Sequence, residues 1–175
     1  MKALCRIIEE TVILCEKMGW EMERMLYFAY GSNMYCRQMK ERCPSARFVS
    51  IAKLKDHRLA FTRISKSRLC GAADVVPAPG CEDWGVIYDI KECDFIPLDK
   101  AEDYVPGGPE NSYNRVQRYV LASGGSETLV WTYLAVKEPN PPLPSAHYKG
   151  LIVEGARYWK LPPEYIALLD SIEVS

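Results

Sequence analysis

The chain has 175 residues, 48% apolar and 26% charged, with a net charge of −1. That length suits one globular domain with a sizeable core, and the composition excludes a disordered chain. The near-neutral balance gives no footprint for nucleic acid or an anionic membrane as the main partner.

Residues 3–18 read as an amphipathic helix, with Leu4, Ile7, Ile8, Val12 and Cys15 near one stripe and Gly19 after its end. Residues 1–24 are therefore taken as a helical extension that docks on the body or on a second subunit as a homodimer contact, and residues 25–175 as the domain. Arg6, Glu9, Glu10, Glu16 and Lys17 interrupt the apolar start, so no secretory signal is expected. No run approaches the roughly 20 apolar residues of a membrane span.

A short apolar strand over 25–30 breaks at Gly31-Ser32-Asn33, and a helix over 33–42 follows, with Ser32 or Asn33 as its N-cap and Pro44 as its stop. Strands are expected over 46–52 and 56–62, then a basic, solvated loop over 63–68. The strand 71–76 has small residues and invites close approach by another backbone or a ligand. A turn at 77–80 leads to a central strand, 84–90. A short helix spans 91–102, and Val105-Pro106-Gly107-Gly108-Pro109 is a loop. Strands over 113–120 and 128–136 form a hairpin about Gly124-Gly125. A proline-rich connector over 139–144 leads to helices over 146–158 and 164–172. Strands clustered mid-chain between helices make the fold α+β, with a mixed, mostly antiparallel, barrel-like sheet flanked by helices and one extra N-terminal helix.

The break at Gly31-Ser32-Asn33 carries the most chemistry. Where a strand turns into a helix, backbone N–H groups without helical partners converge and the helix dipole adds positive potential. Such a turn suits a carboxylate or a developing oxyanion. From the turn alone, the ordinary reading is a connection that only shapes the fold.

No phosphate-binding glycine loop, H-E-x-x-H or G-x-S-x-G occurs. The seven cysteines form no C-x-x-C, and His57 and His147 are the only histidines, so neither a metal nor a cofactor is expected. The thiols read as free in a reducing, cytoplasmic compartment. An enzyme without a marked nucleophile or metal needs a substrate that brings its own nucleophile, or an acid/base side chain acting on a pre-positioned substrate.

Four segments in order supply a resemblance that covers about residue 26 to the end. Tyr27-Phe28-Ala29-Tyr30-Gly31-Ser32-Asn33-Met34 resembles the Y-G-S-N strand-loop of the γ-glutamylcyclotransferase (AIG2-like) family. Asp83-Trp84-Gly85-Val86-Ile87-Tyr88 resembles its W-G-V strand, and Leu98-Asp99-Lys100-Ala101-Glu102 its L-D-x-x-E segment. Ser145-Ala146-His147-Tyr148-Lys149-Gly150 and Leu161-Pro162-Pro163-Glu164-Tyr165 resemble its tail. The family commonly has Gly after the Glu. Here Asp103 stands there, before an insertion-like loop that is expected to reshape the leaving-group side of the pocket.

The resemblance implies a barrel with a pocket over residues 30–33 and an intramolecular reaction on a small γ-glutamyl compound, within glutathione metabolism. The substrate's α-amine attacks its own γ-carbonyl, gives 5-oxoproline and releases an amine or amino acid. Glu102 becomes the catalytic acid/base. Tyr30, Gly31, Ser32, Asn33 and Tyr148 become substrate-binding, with the tyrosines donating hydroxyl hydrogen bonds. Two other readings stand beside this: a γ-glutamylamine substrate, for which Asp103 would suit an amine-bearing leaving group, and a binding module of the same fold without turnover. Arg115 is expected at the surface, and Trp84 and Trp131 in the core.

Overall fold

The computed structural model describes residues 23–175, so the helix expected over 3–18 lies outside the described residues. Five strands close into a barrel in the order β1-β3-β2-β4-β5. They are β1 (Arg24–Ala29), β2 (Arg47–Ser65), β3 (Cys70–Lys91), β4 (Tyr113–Ala122) and β5 (Glu127–Ala135). All ladders are antiparallel except the closure, where β1 meets β5 in parallel at Tyr27 and Trp131. Four helices complete the described part: α1 (Cys36–Arg42), α2 (Phe95–Ala101), α3 (Ala146–Tyr158) and α4 (Pro163–Asp170).

The expected strands over 46–52 and 56–62 are one 19-residue strand, β2, and those over 71–76 and 84–90 are one 22-residue strand, β3. The turn placed at 77–80 is instead a bulge. Lys55 pairs with Glu82 and His57 with Pro77, which leaves residues 78–81 opposite Asp56. Asp56 and Gly80 both take positive φ there, and the Gly80 N–H donates to Asp56 Oδ1 at 2.9 Å. A bulge absorbs prolines within a long pair by leaving the extra residues outside the ladder. The loop placed at 63–68 shrinks likewise to a tight hairpin, because β2 runs on to Ser65 and β3 begins at Cys70.

Close approach on 71–76 does occur. The Gly71 N–H donates to Leu143 O at 2.9 Å, so the proline-rich connector lies against this strand. A second close contact fixes the site. A Cβ at Gly155 of α3 would stand 2.6 Å from the Met34 carbonyl carbon and 2.7 Å from Tyr35 N. Gly155 thus lets α3 press on the turn after β1. Gly155→Ala is expected to cost about 1–3 kcal/mol by overpacking against backbone, which thermal denaturation would register as a fall of several degrees in Tm.

The core includes Phe28, Met34, Ile87, Ile90, Leu98, Val120, Ile152 and Leu169, and Trp84 and Trp131 pack partly buried against it. Asp83 is also fully buried. It accepts from the Tyr165 hydroxyl of α4 at 2.7 Å, while its Oδ2 has no hydrogen-bond partner among the described residues. Burial pushes this carboxyl up to about 7, against hydrogen bonds from Tyr165 and the Leu59 backbone. A folded pKa above the unfolded one means the native state binds the proton more tightly, so stability falls as pH rises from about 4 to 7. Asp83→Asn keeps the acceptor for Tyr165 and removes the charge. Urea midpoints at pH 5 and pH 8 should therefore converge in this variant, by an amount on the order of 3 kcal/mol.

Among the described residues, no helix is long and apolar enough to cross a membrane.

Candidate active site

A cavity of about 580 Å³ opens at one end of the barrel, bounded by the turn after β1, the end of α2, the β2–β3 hairpin, the start of β4 and the first turn of α3. Each part arrives there for a local reason. Gly31 precedes a 3-10 turn (Ser32–Met34), in which Met34 N and Tyr35 N donate back to Gly31 O and Ser32 O, both at 3.0 Å. The amides of Gly31, Ser32 and Asn33 come before the first of these internal bonds. Helix α1 starts later than expected, at Cys36, and neither Ser32 nor Asn33 caps it with a side chain. In α3, Ser145 is the N-cap and accepts from Tyr148 N at 3.2 Å, which puts Tyr148 in the first turn.

Glu102 is the C-cap residue of α2, and its side chain is 17% exposed. Its Oε1 accepts from Asn33 Nδ2 at 3.3 Å and from Arg42 Nη1 at 3.2 Å. Burial raises the carboxyl above the ordinary glutamate range, while Arg42, the Asn33 hydrogen bond and Arg68 pull it back. Of the residues singled out in the sequence, Tyr30, Gly31, Ser32, Asn33, Glu102 and Tyr148 all line this one cavity. One hydroxyl differs from expectation. Tyr30 donates to Tyr133 O at 2.6 Å, so its proton is committed to the backbone and only its lone pairs face other groups. Tyr148 does the reverse. Its oxygen accepts from Ala73 N at 3.2 Å and lies within hydrogen-bonding reach of the Ser32 side chain, so its proton is not committed to a backbone carbonyl.

The segment read as a solvated basic loop is part of the wall. Arg63 is buried and donates to Ser112 O at 2.6 Å, Val136 O at 2.7 Å and Glu138 Oε1 at 2.8 Å. Arg68 lies over the Tyr148 ring, with Cζ 4.8 Å from its centroid. Tyr27, Arg42 and Tyr113 also line the cavity, and the sequence reading passed over Tyr27 and Arg42 and left Tyr113 without a role. A usable signal existed for Arg42. Gln38 and Arg42 are four apart on the helix after the turn, so they share a face, and both donate to Asn33 Oδ1, at 3.1 and 2.6 Å. Tyr113 had only its strand alternation, which any core aromatic shares.

Asp103 has φ +48°, in the left-handed region where glycine is at ease and aspartate is among the better tolerated residues. Asp in place of Gly therefore leaves the backbone path available. The loop after it was expected to reshape the cavity. Instead, Ser112 N donates to Asp103 O at 3.0 Å and closes the loop at its base, so the wall takes Asp103 and Ser112 and none of residues 104–111. Arg115 is half-buried rather than free at the surface. It pairs with Asp99 at 3.2 Å and lies over Phe95, with Cζ 4.2 Å from the ring centroid. Among the described residues, no three His, Cys, Asp or Glu side chains converge in a way that would hold a metal.

The AIG2-like family model matches residues 82–169. A γ-glutamylcyclotransferase of Bos taurus is 36% identical over 155 residues, covering 86% of this chain and 80% of the relative. That of Homo sapiens is 34% identical over 159 residues, covering 89% and 82%. A solved structure described as a γ-glutamyl cyclotransferase superposes with a TM-score of 0.80 at 33% identity, covering 87% of this chain and 90% of the other. Similarity of this depth and coverage shows that the chain belongs to the γ-glutamylcyclotransferase family of cyclotransferase enzymes.

Proposed function

We propose that the protein cyclises a γ-glutamyl compound. The substrate's α-amine attacks the γ-carbonyl, the bond to the leaving nitrogen breaks, and 5-oxoproline and a free amine or amino acid result. The α-amine must first lose a proton, and the leaving nitrogen must gain one. Glu102 does both in turn, and a carboxyl raised by burial is better matched to this exchange near neutrality than an exposed one. The amides of Gly31, Ser32 and Asn33 receive the α-carboxylate or the oxyanion, and the Tyr148 hydroxyl, beside that turn, is the further donor. The observation that carries this reading is the Glu102 carboxylate, set in the same cavity as the 31–33 turn and hydrogen-bonded to Asn33.

The cavity wall also favours one class of leaving group. It includes Arg42, Arg63, Lys66, Arg68 and Lys100 against Glu102 and Asp103, and among the described residues Arg68 and Lys66 pair with no carboxylate. Asp103, the residue that would greet an amine, already accepts from the Ser112 hydroxyl at 3.3 Å. A leaving portion that carries a carboxylate therefore fits better than one that carries an amine. The test is release of 5-oxoproline from γ-glutamyl-alanine and from γ-glutamyl-ethylamine, which differ by that carboxylate. One charge-assisted contact predicts about a 10–100-fold preference in kcat/KM for the first. Product from neither, with both ligands raising the melting temperature, would instead identify a binding module.

A further inference from the structure

Gln38 of α1 is not among the residues that line the cavity, yet it joins two parts of the site. Its Oε1 accepts from Arg68 Nη2 at 2.9 Å. Its Nε2 donates to Ser32 Oγ at 2.9 Å and to Asn33 Oδ1 at 3.1 Å. Arg42 Nη1 donates to the same Asn33 Oδ1 at 2.6 Å. The Asn33 amide then points Nδ2 at Tyr27 Oη, 2.8 Å away, and at Glu102 Oε1, 3.3 Å away.

An amide side chain has two orientations that differ only by exchange of O and N. Guanidinium groups have donors alone, so whichever amide atom meets one must be oxygen. Arg68 decides the orientation of Gln38. Gln38, now presenting its NH₂, and Arg42 together decide the orientation of Asn33. The reverse orientation of Asn33 would set its oxygen against the Glu102 carboxylate and its NH₂ against two donors.

We propose that Gln38 is a positioning residue that, oriented by Arg68, holds the Asn33 carboxamide with its N–H toward Glu102 and so links the β2–β3 hairpin to the acid/base carboxylate. The proposal deepens the role given to Glu102 above, and it can fail separately from it. Among the described residues, the charged groups that act on Glu102 are Arg42 of α1 and Arg68 of the hairpin; Tyr27, Tyr30, Tyr113 and Tyr148, of β1, the segment after it, β4 and α3, stay neutral and are themselves held protonated in part by its charge. Gln38 adds no charge to that set, so its influence on Glu102 passes through the groups it holds, Asn33 or Arg68, and removing Asn33 separates the two routes.

The test is a carboxyl ¹³C NMR titration of the full chain with labelled glutamate, with the Glu102 signal assigned by its loss in Glu102→Gln. Gln38→Leu changes no charge, and the Glu102 midpoint should rise by about 0.3–1 pH unit. Asn33→Ala should raise it at least as far, and the double variant should titrate where Asn33→Ala does, because both act on one link. Gln38→Glu keeps the shape and the Arg68 contact but no longer donates to Asn33. Its upward shift should be larger, and should shrink when Asn33 is Ala. Shifts that simply add, or a Glu102 midpoint unmoved by Gln38→Leu while Asn33→Ala moves it, would overturn the relay. In wild type against Gln38→Leu, the acid limb of kcat/KM should move with the titration, whereas a merely structural role would lower Tm and leave both where they are. Should the wild type release no 5-oxoproline, the proposed activity fails and the titration still decides the relay.

Discussion

Glu102→Gln is expected to lower kcat for 5-oxoproline release by about 10²–10⁴-fold with little change in KM. The substitution preserves shape and leaves an oxygen for Asn33 Nδ2 and Arg42 Nη1, which lie 3.3 and 3.2 Å from the native carboxylate, so binding and fold should survive. What the amide lacks is the ability to take a proton from the ammonium and return it to the leaving nitrogen. Full activity in this variant would remove Glu102 from the chemistry. The pH profile supplies a second check. The base form of Glu102 must be present in the free enzyme, so kcat/KM falls as pH drops through its pKa. Burial raises that pKa, with Arg42 opposing, so the fall should begin above the range of an exposed glutamate, near 4.3. Arg42→Met removes the largest opposing influence and should move the fall to still higher pH.

Arg63→Ala should cost about 2–4 kcal/mol of stability, seen in thermal unfolding as a Tm lower by roughly 5–15 °C. The guanidinium is buried and joins three separate parts of the chain: Ser112 O at the base of the 103–112 loop, Val136 O after β5, and Glu138 Oε1 in the connector. Removing it leaves two carbonyls without their charged donor. Glu138 is 36% exposed and recovers water, which keeps the expected cost below that of stranding a fully buried ion. The same change frees the hairpin, since Arg63 ties the end of β2 to the loop that follows Glu102. Activity should therefore fall even at temperatures where the variant stays folded. An unchanged Tm would show that these contacts contribute nothing net.

Legibility in the sequence followed the range of the interaction. Apolar runs and turn residues marked the ends of β1, β4, β5, α3 and α4 to within a few residues, because burial pattern and capping are local. The pieces of β2 and β3 looked like four short strands because the apolar pattern of β2 lapses over residues 53–55 and residues 77–80 of β3 carry turn chemistry. Pairing over 16 registered positions overrides that chemistry and keeps the strands continuous through the bulge. Arg63 and Arg68 looked solvated because a basic run between strands has no local sign of burial. The partners that bury or orient them lie far along the chain, at Ser112, Val136 and Glu138 for one and Gln38 for the other. The Tyr30 hydroxyl likewise gave no hint that its proton goes to a carbonyl 103 residues away.

The order of residues alone pointed to an α+β fold with a barrel-like sheet and to the Gly-Ser-Asn turn as the place of most chemical interest, and the family resemblance pointed to Glu102. Each of these rests on side-chain identity or on neighbours within about one helical turn. Only the tertiary structure gave the contact itself, because Glu102 and Asn33 stand 69 positions apart and no local pattern shows that they come within 3.3 Å. It alone also decided how the amides around them point, since that orientation depends on guanidinium groups delivered by a different helix and a different hairpin.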